Sequence, residues 1–359
     1  MTEFSRRLLK WFDQHGRHDL PWQHPREPYR VWLAEIMLQQ TQVTTVLPYF
    51  TRFIARFPDV RALAGAAADD VLALWAGLGY YARARNLHRC AQLVVEKHGG
   101  QFPRDPEMLM ELPGIGRSTA GAILAQAHGL RLPILDGNVR RVLARHAAIS
   151  GWPGEPAVQK KLWLLAERLL PQRRVADYTQ AIMDLGATLC TARKPACGIC
   201  PLREDCAARL QQRVHELPAA RPKRARAQRR AHMLLIENGR GEILLERRPP
   251  TGIWGGLWCL PMFAEDDDWR GLASSRYALS LGAATPLPPV QHGFTHFDLD
   301  ILPLRLRARG APRLADSGAQ AWIKMSAVLP VGVPAPVKKL LQSPALSLLH
   351  LTCPEPSTA

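Results

Sequence analysis

The sequence predicts an all-α region of about 210 residues, followed by a basic linker and a smaller α+β domain. From Ser5 to about Arg209, apolar residues recur every three or four positions, which is the spacing of amphipathic helices. After the linker, apolar residues recur at every second position, which is the spacing of β-strands. This change of period predicts two domains of different class in one chain.

The chain has 359 residues, which is long enough for two domains, and its formal net charge is +16. Such an excess of positive charge favours a polyanionic partner such as nucleic acid, although an indifferent basic surface is the alternative. No segment has the uninterrupted apolar run of a signal peptide or a membrane span. These features argue against a membrane partner.

The all-α region begins with an amphipathic helix, because Phe4, Leu8, Leu9 and Phe12 stand at helical spacing among charged residues. The same spacing returns along the region, and short breaks that carry Pro or Gly separate the predicted helices.

Residues 111–120, ELPGIGRSTA, place Gly114 and Gly116 between two helical patterns. Asp105 can cap the first helix. The stretch is not a dinucleotide fingerprint, because position 119 is Thr119 and no strand precedes it, and it lacks the Lys-Ser/Thr of a P-loop. A glycine turn between helices exposes the amides of the second helix to an anion. With a basic chain, a DNA phosphate is the predicted anion, and a plain helix–helix turn is the alternative.

Four of the seven cysteines, separated by six, two and five residues, are Cys190, Cys197, Cys200 and Cys206. An odd count with one dense group argues against a disulfide framework and favours a metal site in a reducing cytoplasm. Zinc sites usually contain two close pairs, and only 197–200 is such a pair. A cubane iron–sulfur cluster suits the spacing at least as well, so the spacing alone leaves both open.

The predicted linker contains RPKRARAQRR (221–230), which has six basic residues and no acidic residue. It can be a solvated connection or a connection that also contacts phosphates.

The C-terminal domain shows strand patterns. MLLIE (233–237) and EILLE (242–246) flank Asn238-Gly239, which predicts a β-hairpin. Residues 294–306 predict a long strand, and residues 337–342 predict a closing helix.

The hairpin LPGIGRSTAGAI (112–123), the stretch PILDGNVRRVLAR (133–145) and the cysteine spacing resemble the endonuclease III superfamily of DNA glycosylases. Within it, the chain resembles the MutY branch, which removes adenine opposite 8-oxoguanine or guanine in double-stranded DNA. The stretches that carry this closer resemblance are LPW (20–22), VWLAEIMLQQTQV (31–43), GLGYYARARNL (77–87), SGWPG (150–154), WGGLWCLP (254–261) and FTHF (294–297).

The resemblance implies a helix–hairpin–helix glycosylase fold followed by an α+β Nudix-like domain. A six-helix barrel is expected at 25–132, inserted into a cluster domain formed by 1–24 and 133–210. The linker is expected at 211–230 and the Nudix-like domain at 231–350. The resemblance also implies a four-iron, four-sulfur cluster on the four cysteines and a monomeric protein.

Cleavage of an N-glycosidic bond needs a proton for the leaving base and a negative charge near the sugar cation. Glu35 lies in an apolar helix, where burial would raise its pKa and keep a proton available. Asp136 begins Asp-Gly-Asn before a helix, where an N-cap is its commonest role. The resemblance implies that Glu35 protonates adenine N7, that Asp136 stabilises the oxocarbenium ion and that Asn138 assists.

Endonuclease III has a lysine where this chain has Ser118, and that lysine forms the Schiff base that leads to strand cleavage. Ser118 cannot form one. The expectation is a monofunctional glycosylase that leaves an abasic site.

The resemblance also implies that Trp22 and Gln180 line the adenine pocket and that Gln40 and Tyr80 wedge beside 8-oxoguanine. Without it, core packing of the aromatic residues and surface exposure of the amides are the simpler interpretations.

In the C-terminal domain the glutamate-rich box of Nudix hydrolases is missing, and only the acidic run 265–268 follows the glycines, so nucleotide hydrolysis is not expected. The family reads the lesion strand through a Phe-Ser-His loop, for which this chain has Phe294, Thr295 and His296.

Two other functions compete with this interpretation. An endonuclease III-type pyrimidine glycosylase/lyase is opposed by Ser118 and by the extra domain. A non-catalytic iron–sulfur DNA-binding protein is opposed by Glu35 and Asp136 in intact motifs.

Overall fold

A computed structural model describes residues 1–222, 226–249, 251–294, 296–309, 319–324 and 332–342. The chain divides into two compact units. The first unit comprises 1–66 and 83–223, and the second comprises 67–82 and 224–359. This division differs from the predicted domain boundaries, because residues 67–82 group with the C-terminal part of the chain. The domain boundaries predicted from the sequence, at residues 24, 132, 210 and 230, stay a prediction.

The first unit is helical. In chain order, the helices of the first 222 residues are α1 (Glu3–His15), α2 (Pro28–Leu38), α3 (Val43–Arg56), α4 (Val60–Ala64), α5 (Ala68–Trp75, in the second unit), α6 (Ala82–His98), α7 (Pro106–Met110), α8 (Arg117–His128), α9 (Gly137–His146), α10 (Pro156–Leu169), α11 (Val175–Thr188) and α12 (Ala207–Leu210), with a 3-10 turn at Cys197–Ile199.

Helix α1 forms as its spacing predicts. The Thr2 side chain accepts a hydrogen bond from the Ser5 amide and so caps the helix, and the apolar face of α1 is buried. This face shares one core with α9, α10 and α11. The N-terminus therefore packs with residues more than 130 positions further along the chain, which fixes the region around residues 17–22 against α11.

The glycine turn lies between helices α7 and α8, as predicted. The carboxylate of Asp105 accepts hydrogen bonds from the amides of Glu107 and Met108, both at 2.9 Å, and caps α7. Gly114 has a φ of +83°, a conformation that side chains rarely adopt, and Gly116 is the N-cap of α8. The turn therefore depends on glycine at position 114.

The second unit contains a mixed sheet. Its elements are β1 (Ala227–Glu237), β2 (Glu242–Arg247), β3 (Trp258–Cys259), β4 (Met262–Ala264), α13 (Trp269–Tyr277), β5 (Ser280–Leu281), β6 (Thr285–Pro286), β7 (Val290–Gly293), β8 (Phe297–Arg309), β9 (Gln320–Lys324) and α14 (Ala335–Leu341). Strands β1 and β8 run parallel, and the other pairs, β1–β2, β1–β4, β2–β3, β2–β9 and β8 with β5, β6 and β7, are antiparallel.

Both faces of the sheet are covered, because neighbouring residues of β1 enter different cores. Met233 and Leu235 belong to one core, whereas Leu234 and Ile236 belong to the other. The predicted hairpin, long strand and closing helix are all present, as β1–β2, β8 and α14. Strand β1 begins at Ala227, inside the stretch predicted as linker, because pairing with β8 sustains a strand whose first four side chains are exposed.

Within the described residues, no helix is long and apolar enough to cross a membrane.

Candidate active site

The first unit contains a cleft of about 1030 Å³ between α2, the start of α8, the start of α9 and α11. The cleft brings together seven residues that the sequence analysis selected from distant segments. These residues are Trp22, Glu35, Gln40, Ser118, Asp136, Asn138 and Gln180.

Glu35 projects into the cleft from α2, whose neighbouring residues Trp32, Ile36 and Met37 are buried. Burial raises the pKa of Glu35 to about 8, and the nearby charge of Asp136 adds to the rise. One hydrogen bond opposes the rise, because Nε2 of Gln126 donates to Oε1 of Glu35 at 3.1 Å. The Glu35 carboxyl therefore holds a proton near neutral pH.

Asp136 is the N-cap of α9, where its carboxylate accepts a hydrogen bond from the Val139 amide at 2.7 Å. Burial raises the pKa of Asp136, while the amides of Val139 and Asn138 and the cationic side chains of Arg141 and Arg140 act to lower it. Asp136 thus has two backbone amides and two nearby cations that favour its charged form, whereas Glu35 has one side-chain amide donor. Of the two carboxyls, Asp136 is the one equipped to carry the negative charge.

The side chain of Asn138 is held by a hydrogen bond from Arg141. The guanidinium of Arg141 donates to Oδ1 of Asn138 at 2.7 Å, to the carbonyl of Gly186 at 2.6 Å and to the carbonyl of Cys190 at 2.7 Å. One arginine therefore links the start of α9 to the end of α11 and to Cys190, the first of the four clustered cysteines.

Ser118 lies in the first turn of α8, and its hydroxyl oxygen accepts a hydrogen bond from the Leu135 amide at 2.9 Å. Leu135 directly precedes Asp136. The hydroxyl therefore positions the segment that carries the aspartate.

Gln180 is buried on α11 and donates from Nε2 to Oδ1 of Asp184 at 2.7 Å. Asp184 is fully buried and also binds Arg17, through the backbone amide at 2.8 Å and through guanidinium bonds of 2.9 and 2.6 Å. With one N–H of Gln180 held by Asp184, the orientation of the amide is fixed, and its oxygen is the acceptor that Gln180 offers to a ligand.

Two of the predicted recognition residues line the same cleft with different exposure. Trp22 is buried, with its ring edge-on to Phe50 at 5.3 Å, so much of it serves core packing. Gln40 is exposed and has a φ of +58°, in the left-handed region. The end of α2 and the residue before Gln40 are held by the buried side chain of Arg83, which donates to the carbonyls of Ile36, Met37 and Gln39.

The other predicted recognition residues belong to the second unit. Tyr80 is 53% exposed and has a φ of +50°. Phe294 stacks on Phe297 at 4.6 Å between ring centroids, and His296 is exposed. Thr295 lies outside the described residues.

The four clustered cysteines line one cavity. Burial raises the pKa of Cys200 to about 11 and raises that of Cys206, and the neighbouring cysteines contribute to both. Arg145 is buried and donates to Sγ of Cys190 at 3.3 Å, to the carbonyl of Thr191 at 2.7 Å and to that of Ala192 at 3.1 Å. A cationic donor beside sulfur suits a site that holds thiolates.

The donor set of this cavity is four cysteine side chains from one short segment, 190–206. Four thiolates are the ligands that hold a cubane iron–sulfur cluster, so the residues present fit that group.

Sequence reasoning missed Gln126, Asp184, Arg17 and Arg83. Each is a polar residue buried or half-buried against a partner from a distant segment. The available signal was a polar residue inside an apolar helical run, as for Gln126 in ILAQAH and for Asp184 in AIMDLG.

The chain matches three known families. Residues 33–168 match the family described as HhH-GPD superfamily base excision DNA repair protein. Residues 232–343 match a NUDIX domain, and residues 190–206 match the iron–sulfur binding domain of endonuclease III. The chain thus has the helical glycosylase fold followed by a Nudix-like domain, and it binds a four-iron, four-sulfur cluster.

Individual relatives agree with these matches. The adenine DNA glycosylase of Buchnera aphidicola subsp. Acyrthosiphon pisum (strain APS) is 36% identical over 341 residues, which cover 95% of this chain and 97% of that protein. The adenine DNA glycosylase of Homo sapiens is 34% identical over 413 residues, which cover 95% of this chain and 74% of that protein. A solved structure of a thermostable thymine-DNA glycosylase superposes with a TM-score of 0.51 at 27% identity, covering 58% of this chain and 95% of that one. The chain therefore belongs to the family of adenine DNA glycosylases, which are DNA N-glycosylases of base excision repair.

Proposed function

We propose that this protein is a monofunctional glycosylase that hydrolyses the N-glycosidic bond of adenine mispaired with 8-oxoguanine or guanine and leaves an abasic site. The observation that carries this proposal is the pair of carboxyls in one cleft. Glu35 has a pKa raised to about 8, and Asp136 has the donors that favour its ionised form. Pairs of carboxyls whose environments separate their protonation states provide an acid and a charge stabiliser at the same pH.

In the proposed reaction, the adenine is flipped out of the duplex into the cleft. Glu35 donates its proton to adenine N7 while the C1′–N9 bond breaks, and the bonding electrons stay with the base. The Asp136 carboxylate faces the resulting positive charge on the sugar. Water then adds its oxygen to C1′ and loses a proton to a carboxylate, which restores the site.

Ser118 supports the monofunctional outcome. A hydroxyl cannot form the Schiff base that starts strand cleavage, and here it is engaged by the Leu135 amide. Its role in the proposal is to position the segment before Asp136, and Asn138 assists that aspartate.

Adenine is recognised by the oxygen of Gln180, beside the ring of Trp22. Adenine presents an amino group at C6, which can donate to that oxygen, whereas guanine presents a carbonyl, which cannot. Because Asp184 holds the amide nitrogen at 2.7 Å, a rotated Gln180 would lose a buried hydrogen bond. The fixed amide thus selects against guanine in the pocket.

Cys190, Cys197, Cys200 and Cys206 are the proposed cluster ligands. The hairpin of Gly114 and Gly116 contacts a DNA phosphate through the first amides of α8. When bound, the cluster supplies a rigid centre that cross-links its loop.

Recognition of the opposite base is assigned to Gln40, Tyr80, Phe294, Thr295 and His296. The likeness to the family supports this assignment, together with the exposure of Tyr80 and Gln40 on left-handed backbone. A non-glycine residue keeps a left-handed backbone only when its surroundings hold it there, and such residues are concentrated at active sites and ligand-binding sites. The protein is expected to act as a monomer in a reducing cytoplasm.

The test is single-turnover release of adenine from duplexes that carry it opposite 8-oxoguanine, guanine or thymine, with and without alkali. The proposal predicts release from the first two duplexes and strand breaks only after alkali. Strand breaks without alkali, at oxidised pyrimidines and without adenine release, would contradict it and favour a pyrimidine glycosylase/lyase.

A further inference from the structure

Gln126 is a polar residue in an otherwise apolar stretch of helix α8. Ala120, Ala122, Ile123, Leu124 and Ala125 are all buried, and Gln126 is buried with them at 4% exposure. Burying an amide is unfavourable unless it finds a hydrogen-bond partner. The partner it finds is the Glu35 carboxyl on α2, whose Oε1 accepts from Nε2 at 3.1 Å.

The direction of this hydrogen bond matters. If the amide nitrogen faces Oε1, the bond persists whether Glu35 is protonated on Oε2 or ionised. If the amide oxygen faced Oε1 instead, two acceptors would meet whenever Glu35 loses its proton. The donating orientation is therefore the arrangement that suits both halves of a proton-transfer cycle.

We infer that Gln126 is a positioning residue for the reaction, because its amide fixes Oε1 of Glu35 and leaves the transferable proton on Oε2. Among the described residues, Oε2 has no hydrogen-bond partner of its own, and Glu35 lines the cleft. This inference rests on the proposed function, in which Glu35 is the acid. Gln126 does not itself contact the base.

Other charged groups lie around the same cleft. Asp136, at the start of α9, favours the protonated form of Glu35, and Arg17, Arg140 and Arg141 are the cationic side chains that line the cleft. Gln126 opposes Asp136, because donation to a carboxylate stabilises the charged state. Removing the amide should therefore make Glu35 harder to ionise.

The experiment compares wild type, Gln126→Leu and Gln126→Met in single-turnover adenine release from an adenine·8-oxoguanine duplex across pH. Both variants keep the volume of the side chain and remove the donor. The alkaline limb of the pH–rate profile should move upward by about one pH unit, which is the size expected for losing one hydrogen bond to a charged group. The plateau rate should fall by about three- to tenfold, because Oε2 is no longer held in one orientation.

A second readout does not need turnover. Infrared difference spectra of wild type minus Glu35→Gln identify the protonated carboxyl of Glu35, and its titration should move upward by a similar amount in Gln126→Leu. Gln92→Leu, the same chemical change on α6 away from the cleft, should move neither the limb nor the titration.

The outcomes separate this inference from the proposed function. A lower plateau with both the limb and the infrared titration unchanged would overturn it and leave Gln126 a merely structural residue. An unchanged variant would overturn it as well. If wild type releases no adenine, the proposed function fails, and the infrared titration alone decides whether Gln126 controls Glu35.

Discussion

Glu35 and Asp136 are two carboxyls in one cleft with opposite surroundings. Asp136 receives amide hydrogen bonds at the start of α9 and lies near two arginines, whereas Glu35 receives one amide donor among apolar neighbours. Burial raises the pKa of both carboxyls, that of Glu35 to about 8, but the amide donors and cations around Asp136 act against the rise there. Asp136 is therefore the carboxyl better equipped to ionise, and Glu35 is the one better equipped to keep its proton.

This difference predicts a bell-shaped pH–rate profile for adenine release. Glu35 must be protonated, so the rate should fall as pH rises through about 8. Asp136 must be ionised, so the rate should also fall as pH decreases through its raised pKa. A rate that keeps rising through pH 9 would contradict the assignment of Glu35 as acid.

Glu35 also predicts how stability depends on pH. Its pKa is raised from 4.5 to about 8 in the folded state, so its stabilising contribution is complete below pH 4.5 and is lost as pH rises from 4.5 to about 8. Glu35→Gln removes this loss. The midpoint of thermal unfolding of the variant should rise relative to that of wild type across this pH window and keep a steady difference above it, and a constant difference across the window would contradict the raised pKa.

The fixed amide of Gln180 predicts selectivity for the C6 amino group. In Gln180→Met, release of adenine relative to release of purine, which lacks that group, should fall by roughly three- to tenfold, because one hydrogen bond is lost. Because the intrinsic reactivities of the two substrates enter this ratio equally for wild type and variant, they cancel when the two ratios are compared. An unchanged ratio would mean that Gln180 does not contact the amino group.

At the scale of elements, the hairpin of α7 and α8 is where local sequence determined structure. Asp105 as cap, Gly114 in the turn and Gly116 at the start of α8 were all predictable, because each depends on neighbours within a few residues. The buried partners were not predictable. Gln126 meets Glu35 across 91 positions and Asp184 meets Arg17 across 167, and helical periodicity carries no information about such pairs.

The hairpin predicts different effects at its two glycines. Gly114→Ala should lower the free energy of unfolding by about 1 kcal/mol or more, because of its positive φ and because the added Cβ would lie 3.2 Å from Cβ of Asn86. Gly116 has open space around the position of a Cβ, so Gly116→Ala should keep its stability.

That open space is also where the phosphate is expected, so Gly116→Ala should weaken binding to every duplex by a similar factor. Gly239→Ala, where a Cβ also meets nothing within 4 Å, is the matched control on a turn of the second unit. Unchanged affinity of Gly116→Ala for DNA would show that the hairpin of α7 and α8 does not contact the DNA.

Arg145 holds the start of the loop that carries the four clustered cysteines (190–206). Its guanidinium donates to Sγ of Cys190 and to the carbonyls of Thr191 and Ala192. In Arg145→Met the loop loses these bonds, so purified protein should contain less iron per chain and should bleach faster in air, as measured by visible absorbance. Wild-type iron content and bleaching rate would show that the cysteines alone fix the loop.

At the scale of the whole molecule, the change of hydrophobic period predicted the order of an all-α part and an α+β part. It did not predict that residues 67–82 group with the C-terminal unit, or that β1 begins at Ala227. Both depend on pairing and packing with residues far along the chain, such as the parallel ladder from Ala227↔Phe297 to Glu237↔Arg307. A basic, exposed strand start looks like a linker until its partner strand is known.

Excision is expected in the first unit, and reading of the opposite base mainly in the second unit, with Gln40 as the contribution of the first unit to that reading. Thr295→Ala should therefore weaken the preference for 8-oxoguanine over guanine while leaving the rate on the preferred duplex unchanged. Equal discrimination by wild type and variant would contradict this role.

In the proposed reaction, Glu35 supplies the proton that releases adenine. The most direct test is the single-turnover rate of adenine release from an adenine·8-oxoguanine duplex by wild type and Glu35→Gln, with affinity for the same duplex measured in parallel. We predict rapid release by wild type, and for the variant unchanged affinity and a rate at least about a hundredfold lower, the range that general acid catalysis contributes. Release by Glu35→Gln at the wild-type rate, with intact binding, would contradict the account.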